Sequence, residues 1–231
     1  MASGKKKKKY SDVRIFLVTA LAVTFLIVLA ACIYLVLSRA NGSLLDFGKS
    51  VRAKTYRLEY SDLVEEASKK YGLEEARIYA VMLVESSFRP EAVSEAGAIG
   101  LMQMLPATYE SLCLKRGVEY NPEDLKDPAT NIDFCCEYLV YLKEQMGSWD
   151  MTHLAYHAGI GRVNGWLADP ECSADGITVD RIPSSVSAKY VERINAAYFV
   201  YKEVLAQKAE EEGKTKTSAE AETDKTNPME V

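Results

Sequence analysis

The chain has only two histidines and no Cys-x-x-Cys pair, and none of its five cysteines is spaced from a histidine as in a zinc site. The sequence therefore calls for no metal and no cofactor. It also lacks a basic balance. The net charge is −5, and the six Lys or Arg within residues 1–14 face a single Asp, so the rest of the chain is acidic. An acidic central region argues against nucleic acid as a partner. No internal repeat is visible, and no stretch sustains the period-two alternation of a half-buried strand. The domain is expected to be mainly α.

Of the cysteines, Cys32 lies in an apolar N-terminal segment, whereas Cys113, Cys135, Cys136 and Cys172 fall in the part expected to fold. Buried free thiols and one disulfide both fit the pattern. Cys135 and Cys136 are adjacent on one expected helix and point in different directions.

What is present divides the chain into five parts. Residues 1–14 form a basic tail with an unbroken run from Lys5 to Lys9. Residues 15–37, Ile15 to Leu37, carry no charge. As a helix they would extend roughly 34 Å, enough for the hydrocarbon core of a bilayer. The preceding basic run places the N-terminus in the cytoplasm and everything after Ser38 outside. The apolar run is longer than a signal peptide's usual stretch of about 7–15 residues, so an uncleaved anchor is the expectation. Leu29-Ala30-Ala31-Cys32 does resemble a lipoprotein cleavage site, but the apolar run continues past Cys32. Residues 38–57 read as a stalk, 58–207 as the folded domain and 208–231 as a polar, disordered tail.

Within the domain, Asp62 and Glu65 have the spacing of a capping box, and Gly72 follows the helix they begin. A second helix carries Ala76, Tyr79, Ala80, Leu83 and Val84 and ends near Glu85. A third runs from Ala107 to Arg116. Thr130 to Met146 forms the longest clear helix, with Ile132, Cys135, Cys136, Leu139 and Leu142 as a core stripe. Asp150 is placed to cap the helix carrying Leu154, Ala155 and Tyr156. A short helix near Val163 precedes a loop over 169–183, and a last helix spans about Ser187 to Gln207.

Chemistry concentrates between Ile78 and Pro106. Glu85 follows Val81, Met82, Leu83 and Val84, so its carboxylate is costly to keep ionised. A raised pKa suits a general acid near neutral pH. Beyond Pro90, Gly97 and Gly100 permit close backbone approach.

Four ordered blocks over roughly residues 58 to 205 resemble the soluble-type, family 1 lytic transglycosylases, which cleave peptidoglycan glycan strands. They are Glu85-Ser86-Ser87-Phe88 through Gly100-Leu101-Met102-Gln103; Asn131-Ile132 with Tyr138-Leu139; Ala155-Tyr156-His157-Ala158-Gly159; and, more weakly, Ile182-Pro183 with Tyr190-Val191. The resemblance implies a lysozyme-like helical fold, close to that of goose-type lysozyme, and peptidoglycan as partner. The membrane, through the anchor, and other cell-envelope proteins complete the expected partners. It implies Glu85 as the single acid/base, with Ser94, Met102, Gln103, Tyr156, His157 and Tyr190 as substrate-binding residues. Core packing is an equal reading for Met102, and packing competes with substrate contact at Tyr190.

Two positions depart from the family pattern. His157 stands where the family usually has Asn, and is expected to replace it as a neutral hydrogen-bonding group. Val186 and Ser187 stand where Glu-Thr is usual, which removes a carboxylate from the expected groove. Two alternatives accompany the reading. One is a goose-type muramidase that hydrolyses the same bond, and the other is a wall-binding scaffold without activity.

Overall fold

Burial explains why the run ending at Glu85 shows no amphipathic stripe. A computed structural model describes residues 56–225, with side chains through residue 214. Its helices are α1 (Ser61–Tyr71), α2 (Glu75–Ser86), α3 (Pro106–Arg116), α4 (Pro128–Met146), α5 (Trp149–Ala158), α6 (Ile160–Leu167) and α7 (Ser185–Lys225). A 3-10 turn, Pro122–Lys126, precedes α4. In α2, every residue from Ala76 to Met82 is buried, which is the signature of a helix enclosed by others. It packs chiefly on α7, while α4 packs on α1 and α5. Among the described residues, pairing of strand type is limited to two isolated bridges, Val93 with Ile99 and Ile99 with Met104. The fold is mainly α, as the sequence led us to expect.

The expected core stripe of α4 is in place: Ile132, Cys135, Cys136, Leu139 and Leu142 are all buried. Pro128 starts this helix, Asp127 caps it by accepting from the Thr130 N–H at 2.8 Å, and Gly147 closes it. Cys113, Cys135, Cys136 and Cys172 are buried free thiols. His153, the second histidine, packs inside beside Arg77, whose guanidinium lies 3.7 Å from the Trp149 ring centroid and 4.2 Å from that of Tyr198. Burial and the Arg77 charge push the His153 pKa down to about 4, so this imidazole stays neutral.

Several local expectations are corrected. Asp62 and Glu65 form no capping box: Tyr60, with φ 61°, is the N-cap, no side chain caps it, and Glu65 pairs with Lys69 at 2.5 Å one turn on. Ser148, not Asp150, caps α5 by accepting from the Met151 N–H. Asp150 lies one residue inside that helix and accepts from Asn195 at 2.8 Å. The packed fold also takes in Tyr56 and Arg57. The Tyr56 ring meets Tyr201 edge-on at 5.4 Å, and Arg57 donates to the Ser87 carbonyl at 3.2 Å.

The last helix begins at Ser185 and continues to Lys225, through the part expected to be disordered from Lys208. Packing against the core ends near Leu205. Beyond it, Ala, Glu and Lys have high intrinsic helix propensity, and Lys208 pairs with Glu212 one turn on at 3.8 Å. The expected membrane segment, residues 15–37, and most of the stalk lie outside the described residues. Among the described residues no helix is long and apolar enough to cross a membrane.

Candidate active site

Glu85 occupies the last turn of α2, where the helix dipole already disfavours an anion. Burial pushes its carboxyl pKa up to about 7, while the Tyr190 hydrogen bond and the Arg193 charge pull the other way. The Tyr190 O–H donates to Glu85 Oε1 at 2.5 Å. Tyr190 is buried near the start of α7, and the packing of α7 on α2 brings the two residues together. No second carboxylate is hydrogen-bonded or ion-paired to Glu85 among the described residues. Glu91 and Glu95 are exposed, and Glu91 lies 4.0 Å from Lys126.

The backbone just after the acid is unusual. Ser87 (φ 54°) and Phe88 (φ 64°) both adopt the left-handed region, which costs non-glycine residues roughly 1–2 kcal/mol each. Neighbouring contacts hold the turn. The Phe88 ring is buried near Tyr79, and the Ser86 hydroxyl donates to the Leu101 carbonyl at 2.8 Å and accepts from the Arg89 N–H. The Ser86 bond ties the end of α2 to the loop that carries the remaining motif residues.

That loop folds back on itself and is pinned from α4. Asn131, fully buried, accepts from the Met102 N–H at 2.8 Å and donates to the carbonyls of Ile99 and Leu125. Gly100, with φ 87°, sits so close that an added Cβ would overlap the Asn131 amide and the Leu125 carbonyl. Gly97, also at positive φ (81°), faces open space. Close approach is thus the reason for Gly100, and backbone conformation the reason for Gly97.

The expected site residues divide into several environments. Ser94 is exposed, and its hydroxyl accepts from the Ala98 N–H at 3.0 Å. Gln103, partly exposed at φ 55°, donates its amide to the carbonyls of Ala92 and Gly100, which stabilises the strained turn. Tyr156 donates to the Met102 carbonyl at 2.8 Å, and the Glu85 charge helps to raise its phenol pKa well above the usual value, burial being the main cause. Met102 itself is 0% exposed, so its side chain is core packing and lines no groove. His157 makes no hydrogen bond to another described residue. Its ring stacks on Tyr190 instead, with centroids 4.3 Å apart and planes 15° apart.

A cleft of about 170 Å³ is lined by Gln103, Leu105, Thr108, Tyr138, Tyr156 and His157, among others. Neither Glu85 nor Tyr190 lines it, but His157, which does, stacks on Tyr190. Two larger cavities, of about 320 and 580 Å³, contain neither Glu85 nor any expected site residue. Sequence reasoning missed the direct bond from Tyr190 to Glu85 and the pinning role of Asn131. A lone amide at the head of an apolar stripe was the available signal for the latter.

These contacts give one prediction. Tyr190→Phe removes the donor that favours the ionised carboxylate, so the Glu85 pKa should rise further above about 7, by about one unit. Carboxyl titration by NMR checks this, and an unchanged or lower value contradicts the described geometry.

The described residues thus form a mainly helical domain that presents one partly buried carboxyl, Glu85, hydrogen-bonded by Tyr190. Residues 62–175 match the family model described as "Transglycosylase SLT domain". The soluble lytic murein transglycosylase of Salmonella typhimurium is 31% identical over 157 residues, covering 66% of this chain and 24% of that protein. Its Escherichia coli counterpart is 32% identical over 152 residues, covering 63% and 24%. Among solved structures, an inactive Glu-to-Gln mutant of the lytic transglycosylase Slt from Pseudomonas aeruginosa superposes with a TM-score of 0.58. Its identity is 29%, over 65% of this chain and 25% of that one. The 70 kDa soluble lytic transglycosylase of Escherichia coli gives 0.57 at 28% identity with the same coverage. A complex of the 70-kDa soluble lytic transglycosylase with bulgecin A gives 0.58 at 28% identity, again with that coverage. The chain spans about a quarter of the length of the relatives it matches.

Proposed function

We propose that this domain cleaves the β-1,4 bond between N-acetylmuramic acid and N-acetylglucosamine in peptidoglycan and leaves a 1,6-anhydromuramyl end. The observation that carries the reading is a lone, partly buried carboxyl, Glu85, with its pKa pushed up to about 7 and a tyrosine hydroxyl on one oxygen. Near neutral pH about half of such groups hold the proton, so one residue is available as acid and then as base.

Glu85 protonates the leaving glycosidic oxygen. A site without a paired carboxylate fits the substrate-assisted exception among glycosidases, in which the sugar's own 2-acetamido oxygen attacks the anomeric carbon. Glu85, now ionised, takes the proton from the 6-hydroxyl of the same muramyl residue. That oxygen closes on the anomeric carbon and displaces the acetamido oxygen. An internal nucleophile competes well with water because effective molarities reach about 10⁵–10⁸ M. Ser94, Gln103 and Tyr156 are assigned to binding the sugars, whereas buried Tyr190 acts on Glu85. Purified peptidoglycan incubated with the full-length chain should release soluble muropeptides. Binding without release contradicts the lytic reading and favours a wall-binding scaffold.

The same proposal holds the domain outside the cytoplasm, tethered by residues 15–37, with the basic tail inside and other envelope proteins within reach. Protease added to intact protoplasts should digest the chain after Ser38 and leave the N-terminal segment membrane-bound. Release of an intact soluble domain cut near Leu37 contradicts the anchor. Loss of lipid labelling in Cys32→Ser favours lipoprotein processing.

A further inference from the structure

The geometry points to His157 as a positioning residue: its ring packs flat on Tyr190 and so fixes the phenol whose hydroxyl donates to Glu85. The inference rests on the reading of Glu85 as the acid.

Tyr190 is anchored on α7, and its hydroxyl must stay on one oxygen of a carboxyl carried by another helix. Such a bond depends on ring position, because hydrogen bonds weaken steeply as their angle bends. His157 lies in the last turn of α5 and presents its imidazole face to the phenol, nearly parallel and in stacking range. Tyr190 is buried whereas His157 is exposed, so the imidazole forms the outer cover of the phenol. The same histidine borders the cleft. It thus links the surface where sugar would lie to the group that holds the acid. The amide of an Asn here would offer a much smaller plane and leave most of the ring uncovered.

The stack works with a neutral imidazole. Burial and the Arg162 charge on α6 lower the His157 pKa from its usual value. The charged or titratable groups acting on the stacked pair and the acid are Arg162 on α6, Arg193 on α7, Cys135 on α4, Tyr156 on α5 and Glu85 itself. The role does not require His157 to titrate.

A double-mutant cycle separates this role from direct sugar contact. His157→Ala should lower kcat on peptidoglycan by about threefold to tenfold, the scale of one aromatic stacking pair. In a Tyr190→Phe background, with no hydroxyl left to misplace, the same change should cost less than about twofold. His157→Phe should recover most of the loss, and His157→Asn, polar but with too small a plane to cover the phenol, should follow Ala. The companion readout needs no substrate. The Glu85 carboxyl titration should move upward in His157→Ala, in the direction of Tyr190→Phe, with no further movement in the double variant. A full penalty that persists in the Tyr190→Phe background, a His157→Phe variant no better than Ala, or a Glu85 titration unmoved in His157→Ala overturns the proposal. A wild-type chain that cleaves no glycan overturns the lytic reading instead, and the titration still decides this one.

Discussion

Glu85→Gln is expected to reduce glycan cleavage by at least about 10²-fold while the domain stays folded and still binds glycan. The amide keeps the shape of the side chain and can accept from Tyr190, but it has no proton to deliver. General acid–base catalysis typically contributes 10²–10⁴-fold, which sets the size of the loss. The same substitution has a second, opposite signature in stability. Folding raises the Glu85 pKa from 4.5 to about 7. The folded state therefore favours the protonated acid, and that stabilisation is complete below 4.5 and lost as pH rises through about 7. At pH 8 the partly buried carboxylate destabilises the fold, so Glu85→Gln should be the more stable protein there, by about 1–3 kcal/mol. The advantage should disappear below about pH 4.5. Thermal unfolding of the two proteins at both pH values measures it. A residual activity above about a tenth of wild type, or a variant less stable at pH 8, contradicts the assignment.

The second large effect concerns Gly100. An added methyl group there collides with the buried Asn131 amide and with the Leu125 backbone, and φ at 87° is unfavourable for alanine in any case. The backbone carbonyl cannot rotate away as a flexible side chain could. Strain and overpacking together should cost Gly100→Ala about 3–5 kcal/mol, a large fraction of a domain's usual 5–15 kcal/mol. Gly97→Ala is the internal control. It carries a similar φ of 81° but meets open space, so about 1–2 kcal/mol is expected. Urea unfolding compares the two. Equal losses would mean that close packing of the loop on α4 is not what Gly100 serves.

These positions also mark how far the sequence could be read. Glu85 at the end of an apolar run, the stripe from Ile132 to Leu142, and the two loop glycines were legible, because each depends on local periodicity or backbone chemistry. Contacts between distant segments were not. Tyr190 lies 105 residues from Glu85, and no local pattern distinguishes a tyrosine that packs from one that bonds the acid. Met102 was ambiguous for a similar reason: an apolar residue beside a glycine turn suits a groove wall or a core equally, and the pinning by Asn131 turns it inward. At helix starts, adjacent capping candidates compete. Ser148 took the place expected for Asp150 because the helix begins one residue after it, at Trp149. At His157 the family comparison suggests a hydrogen-bonding group in place of Asn, and it gives no hint that the ring stacks on Tyr190, a contact across 33 residues of sequence.

The end-group left on cleaved glycan bears most directly on the account, because it reports the fate of the proton that Glu85 removes. Mass spectrometry of muropeptides released by the full-length chain should show 1,6-anhydromuramyl ends, each lighter by one water than the hydrolysed product. Reducing muramyl ends in their place would mean that water, not the sugar's own 6-hydroxyl, attacks the anomeric carbon, as in a goose-type muramidase, and would contradict the proposed chemistry.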